Sequence, residues 1–379
     1  MSKIMTFSNN QHLKHAVMVF LVIILLSACT NSSSEAPGST IPSIPTQTST
    51  SFPTNTIVPP TETATLVPTP TEIVYSWEST AFDEGAVSSL AIDPSASSNI
   101  YMTMWGGSSK GFYFSNDGGI TLERVLNKDL YTVLIDSSDP SILYTGGFGA
   151  GIFKSTDSGK SWTLLVNKIS SSSYTVFSLY SQQLTSGVIY AATSGGIFTS
   201  KDQGNTWELM GLSEKKVAAL AFDPVDSAVL YAIARREGLF KTSDGGQNWA
   251  QVWYKDEKTD ITTILADPNT PGTLYMGIKE LKDPMSFGLY KSIDGGLNWK
   301  DINPVPDMPM PIYTLLWDGS QANILYCGTG DGFYKSSDNG ESWVFFGPEH
   351  YKNIYAIALT SGNPPKFYLG SQAAFYISK

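Results

Sequence analysis

The 379-residue chain has two cysteines, three histidines and three arginines, and these scarcities exclude whole classes of chemistry. Without a cluster of Cys or His there is no zinc site to assemble, and no cofactor is expected. With 24 basic against 34 acidic residues the formal net charge is −10, which argues against a nucleic-acid partner. Long apolar runs are also missing. The longest, Ala16 to Leu26, has eleven residues and is too short to span a bilayer as a helix.

What is present is a repeat. Six copies of Ser or Thr, an Asp two residues on, a Gly two further, a small polar residue and an aromatic punctuate residues 115 to 343. The first runs Ser115 to Thr121 and has Leu122 in place of the aromatic; the others end at Trp162, Trp207, Trp249, Trp299 and Trp343. Their aspartates are Asp117, Asp157, Asp202, Asp244, Asp294 and Asp338, spaced 40, 45, 42, 50 and 44 residues apart, a period that suits four-stranded propeller blades. A short carboxylate can accept from backbone amides two residues onward and Gly admits positive φ, so each copy reads as a tight turn between strands. Flanks such as Gly151 to Ser155 and Trp162 to Val166 are rich in β-formers. Six catalytic aspartates dispersed around a ring could not converge on one substrate, so these Asp and Trp residues are expected to be structural.

Each copy ends a longer module whose opening can be counted separately. Seven openings align, beginning near Val87, Tyr131, Tyr174, Val217, Ile261, Ile312 and Ile354. The last module stops at Lys379 without its turn and fourth strand, and Val74 to Ser79 resembles the missing strand. The expected fold is therefore all-β: a single seven-bladed propeller over residues 75–379, closed by the N-terminal strand completing the last blade.

The turn pattern resembles the Asp-box, or bacterial neuraminidase, repeat. A D-P after the first strand, L-Y-x-G in the second and G-[IL]-[FY]-K-S in the third make residues 75–379 similar to the photosystem II assembly and stability factor family, and more loosely to the N-terminal propeller of sortilins. That resemblance implies a non-enzymatic assembly or binding module. Assembly factors hold their partner with an arginine-rich patch, whereas this chain has only Arg124, Arg235 and Arg236. Sialidases, which share the repeat, need three arginines from separate blades. Arg235 and Arg236 are adjacent, so their side chains diverge. Xyloglucan-type hydrolases use two propellers with one acid on each. A sialidase-like or xyloglucanase-like hydrolase with a non-standard site is the alternative reading, with Asp256, Glu257, Glu280 and Asp283 as the first acids to test.

Residues 1–28 read as a signal peptide, with Lys3 and Lys14 ahead of the apolar run. Leu26-Ser27-Ala28-Cys29 resembles the bacterial lipobox, which implies lipidation of Cys29 and anchorage to a membrane. Removing the leader leaves 22 basic against 34 acidic residues, net −12, and Cys327 as the sole remaining thiol, expected to be a buried strand residue. Residues 29–74 are rich in Ser, Thr and Pro and read as a disordered stalk, about 140 Å long if extended at about 3.1 Å per residue. The expected product is an extracytoplasmic, monomeric, lipid-anchored scaffold that binds a protein or a glycan.

Function is expected on the rim opposite the repeat turns, where loops differ most between modules. Trp105, Phe148 and Trp253 are exposed-loop candidates. The longest insertion, Lys279 to Phe287, nominates Lys279, Glu280, Lys282, Asp283 and Phe287, joined by Arg235, Arg236, Trp253 and Tyr254 from the adjoining module.

Overall fold

A computed structural model describes residues 74–165, 169, 174–182, 187–280, 287–304, 310–348 and 352–379. The expected leader, Cys29, nearly all of the stalk, Lys282 and Asp283 lie outside the described residues, as does the Glu280 side chain.

Among the described residues there are strands and no helix. β1 (Trp77–Ile92), β2 (Ile100–Trp105), β3 (Gly111–Ser115) and β4 (Glu123–Leu126) come first. β5 (Leu130–Ile135), β6 (Leu143–Gly147), β7 (Ile152–Ser155) and β8 (Thr163–Leu164) form the next sheet. It is followed by one of β9 (Val176–Ser181), β10 (Ile189–Thr193), β11 (Gly196–Ser200) and β12 (Glu208–Gly211). β13 (Val217–Phe222), β14 (Leu230–Ala234), β15 (Gly238–Thr242) and β16 (Ala250–Trp253) make another. β17 (Thr259–Ala266), β18 (Leu274–Glu280), β19 (Gly288–Ser292) and β20 (Lys300–Asp301) make the one after that. β21 (Ile312–Trp317), β22 (Leu325–Thr329), β23 (Phe333–Ser336) and β24 (Val344–Gly347) are the last set of four, before β25 (Ile354–Leu359) and β26 (Phe367–Ser378).

The expectation of seven blades is corrected here. Hydrogen bonding gives six sheets: five of four strands, and one of six in the order β25-β26-β1-β2-β3-β4. The cause lies in β1, which runs unbroken for 16 residues. Its first half pairs β26, from Trp77 opposite Ser378 to Ala81 opposite Ala374, and its second half pairs β2. The segment Phe82 to Gly85, between the expected closing strand and the first module opening, stays inside one strand, so the terminal strands join the first blade. The fold is a six-bladed propeller.

The ring is nonetheless closed. β1, β5, β9, β13, β17, β21 and β25 neighbour one another in that order, and β25 returns to β1. These inner strands surround a channel of about 600 Å³. Second strands sit between neighbouring sheets and are buried on both faces: β6, β10, β14 and β22 are buried at every position. Cys327 lies within β22 at 0% exposure, and burial raises its thiol far above the ordinary range.

Repeat turns tie each sheet to its neighbour. In the first, Ser115 Oγ donates to Asp117 Oδ1 at 2.8 Å and accepts from the Gly119 amide at 2.8 Å. Thr121 donates its amide to Asp117 Oδ1 at 2.9 Å and its hydroxyl to Oδ2 at 2.6 Å. The small polar residue of the pattern is thus the second donor to the carboxylate. Ser161, Thr206, Asn248, Asn298 and Ser342 do the same for Asp157, Asp202, Asp244, Asp294 and Asp338. These donors, the Thr121 hydroxyl foremost, hold the Asp117 carboxyl down to about 2. The glycine two residues after each turn's aspartate takes positive φ, 83° at Gly159 and 91° at Gly246, where a side chain would be strained. Trp162, Trp207, Trp249, Trp299 and Trp343 donate Nε1 to the carbonyl of that glycine. From the preceding sheet, Tyr144 and Lys154 reach the Gln203 carbonyl at 3.1 Å each, and Tyr275 and Lys291 reach the Asn339 carbonyl at 2.9 and 3.0 Å. The tyrosine of the second strand and the lysine of the third are therefore inter-sheet staples.

Candidate binding site at the channel mouth

Every inner strand carries a β-bulge near its start, at the rim opposite the repeat turns. The register shifts fall at Ser88, Tyr131, Phe177, Ala218, Thr262, Tyr313 and Tyr355. A bulge places an unpaired residue in the strand and re-aims its side chain. All seven line the channel or a second cavity at its mouth, of about 380 Å³, which is walled by Trp105, Tyr131, Phe177, Ala218, Arg235 and Thr262. The two cavities share Ala218 and Thr262, so the mouth opens into the channel.

Aromatic side chains form an arc along this mouth. Trp105, 47% exposed at the end of β2, meets Tyr131 edge to face at 6.2 Å. Tyr131 and Phe177 lie parallel within 4° at 6.4 Å. The Arg235 guanidinium sits 4.9 Å from the Phe177 ring centroid, an attraction that fixes an otherwise exposed cation over the arc. Further round the channel, Tyr313 and Tyr355 meet edge to face at 4.6 Å. Burial first, then Tyr355, pushes the Tyr313 hydroxyl up to about 12. Burial also raises Tyr131, with Asp129 adding to the effect and Arg235 opposing it. These hydroxyls therefore stay protonated at neutral pH and act as neutral hydrogen-bonding groups.

The support beneath the arc is polar. Asp129 accepts the Gly106 amide at 2.8 Å and Lys110 Nζ at 3.2 Å, which holds the loop that carries Trp105. The Arg235 amide donates to the Lys216 carbonyl at 2.9 Å. One polar atom of the lining is left over: Thr262 Oγ1 is buried without a hydrogen-bond partner among the described residues. No residue lining the mouth cavity is a carboxylate, and among the described residues no cluster of His, Cys, Asp or Glu could hold a metal.

The structure separates the residues nominated from sequence. Arg235 belongs to the mouth, and Arg236 follows it, exposed, at φ 61° in the same turn. Trp253 points away: it pairs with Leu239 in β16 and packs half-buried against Met276 and Ile278 between two sheets. Tyr254, 48% exposed, follows it. Lys279 is half-buried opposite Asp260 in β18, and Phe287 is half-buried just before β19. Asp256 caps its own turn, accepting from the amides of Lys258 at 2.8 Å and Thr259 at 2.9 Å. Sequence reasoning missed Tyr131, Phe177 and Thr262 as site residues. The available signal was variation at one position, directly after the first apolar residue of each opening.

Comparisons with known proteins agree on the class, an all-β propeller. A family model for sortilin, neurotensin receptor 3, matches residues 150–263 and 195–303. A xyloglucanase from Hypocrea jecorina (strain QM6a) is 27% identical over 149 residues, 38% of this chain but 17% of that enzyme, so the chain spans a small part of its length. Among solved structures, YCF48 bound to a D1 peptide superposes with a TM-score of 0.59 at 17% identity, covering 81% of this chain and 98% of that one. An ancestral GH74 enzyme gives 0.64 at 17% identity, covering 81% of this chain and 46% of the enzyme. YCF48 from Cyanidioschyzon merolae gives 0.59 at 14% identity, covering 80% and 98%. At these identities the likeness is one of fold.

Proposed function

We propose that the chain is an extracytoplasmic propeller, anchored through lipidated Cys29, that binds a protein or glycan at its channel mouth and catalyses no reaction. The observation that carries this reading is the mouth itself. Concave aromatic surface with a fixed arginine is the composition of binding hot spots, and the bulges that create it recur on every inner strand. The leader and the lipobox-like Leu26 to Cys29 support the location. Likeness to propellers such as YCF48, whose solved complex holds a peptide, is consistent with a scaffold.

A hydrolase is the second reading, favoured by the likeness to a xyloglucanase and to GH74 enzymes. Glycoside hydrolysis needs two carboxyl groups flanking the scissile bond, and the mouth cavity is lined by none. One experiment separates the two. The purified chain is incubated with β-glucan and with surface material of the producing organism, and bound mass and released reducing ends are both measured. Binding without product is expected, weakened about tenfold by Tyr131→Ala or Phe177→Ala and unchanged by Asp256→Asn. Release of reducing ends that Asp256→Asn abolishes would establish the hydrolase instead.

A further inference from the structure

The chain is acidic overall, yet cations gather beside the mouth. Lys216 precedes β13, Arg235 and Arg236 form the β14 to β15 turn, and Lys279 lies in β18 one sheet further on. Ala234 pairs Val217 and Ile278 pairs Ile261, so Arg235 and Lys279 hold equivalent places on adjacent sheets. Nearby cations are neutralised: Lys215 pairs Glu237 and Lys110 pairs Asp129. Lys216, Arg235, Arg236 and Lys279 make no ion pair with a described acid. Arg235 uses one face on Phe177 and keeps its N–H edge free for a planar anion.

One buried polar atom without a partner among the described residues, Thr262 Oγ1, belongs to the lining of the mouth. A buried acceptor is costly until a donor reaches it. A ligand matched to this lining offers an apolar face, an anionic group and a hydrogen-bond donor within about 380 Å³. A carboxylated sugar has all three: the C–H face of a pyranose, a uronate and ring hydroxyls. β5, β9, β13, β17, β21 and β25 are edge strands of their sheets, so an extended anionic peptide is the competing ligand that the test must separate from a sugar.

We propose that the mouth takes a uronate-bearing oligosaccharide, with a sugar ring against Tyr131 and Trp105, its carboxylate at the free edge of Arg235 and a hydroxyl donating toward Thr262; this rests on the mouth being the binding site. Lys216, Arg236 and Lys279 supply attraction for further uronates along the chain.

The test is titration calorimetry of the full-length chain with hexagalacturonate, its methyl ester and poly-glutamate, at low and high salt. The acid form is expected to bind, and to weaken with salt. The ester should bind at least about tenfold more weakly, and Arg235→Ala should cost the acid form a similar factor. Arg235→Lys should fall between, and Tyr131→Ala should weaken both forms, with melting temperatures unchanged throughout. Equal binding of acid and ester, or insensitivity to Arg235→Ala, overturns the acidic-sugar assignment while a Tyr131→Ala effect keeps the mouth as the site. Poly-glutamate binding that depends on Arg235, with no hexagalacturonate binding, likewise overturns the sugar. If no mouth variant alters any binding, both the ligand class and the site fall.

Discussion

Deleting residues up to Glu84 is expected to abolish soluble folding, whereas deleting Thr30 to Thr71 should leave the melting temperature unchanged. The first deletion removes the half of β1 that pairs β26 from Ala374 to Ser378. It also breaks the reciprocal backbone bonds between Ser76 and Lys379, at 2.8 and 3.2 Å, and the Lys379 to Glu78 ion pair. Two aromatic anchors go with it. Tyr75 packs on Phe346 at 5.4 Å and Phe367 at 5.2 Å, and Trp77 on Phe333 at 6.1 Å. An unpaired edge over an exposed apolar cluster favours intermolecular pairing, so aggregation is the expected readout in light scattering. The second deletion removes a segment whose Ser, Thr and Pro composition cannot bury a core. Equal stability of the two truncated chains would show that closure through β1 does not matter.

Trp207→Ala is expected to destabilise by about 3–5 kcal/mol, the range for removing a fully buried large aromatic. Trp207 is 2% exposed and packs with Tyr144, Ile152, Val176 and Phe198, residues from two sheets. Its Nε1 donates to the Gly204 carbonyl at 2.9 Å, so truncation leaves a void and removes that bond. Ile293, 77% exposed on another repeat turn, is the control: Ile293→Ala should change stability by no more than about 0.5 kcal/mol. Chemical denaturation gives both values, and indistinguishable midpoints for the two variants would remove Trp207 from the inter-sheet core.

The repeat turns were legible because their chemistry is local. Carboxylate, donor and glycine fall within seven residues, so a carboxylate-braced turn followed from spacing, although the donor to Asp244 is Asn248, four residues on and not two. Blade number was not legible, because it depends on whether Phe82 to Gly85 breaks β1, and those residues look like any other link. The mouth was half legible. Trp105 and Arg235 were visible as rim residues, but Tyr131 and Phe177 are 46 positions apart and become parallel only when the ring brings β5 beside β9. Trp253 misled for a related reason. The side-chain alternation of β16 turns it toward Met276 and Ile278, a direction that residue type and loop length do not encode.

Site-specific photocrosslinking tests most directly the claim that recognition occurs at the channel mouth and not at the repeat turns. A benzophenone amino acid replaces Phe148, 66% exposed at the end of the second strand of its sheet, or Ile293 on the opposite rim. Irradiation with bound surface material should yield adducts from position 148 and none from position 293. Adducts from position 293 alone would contradict the account.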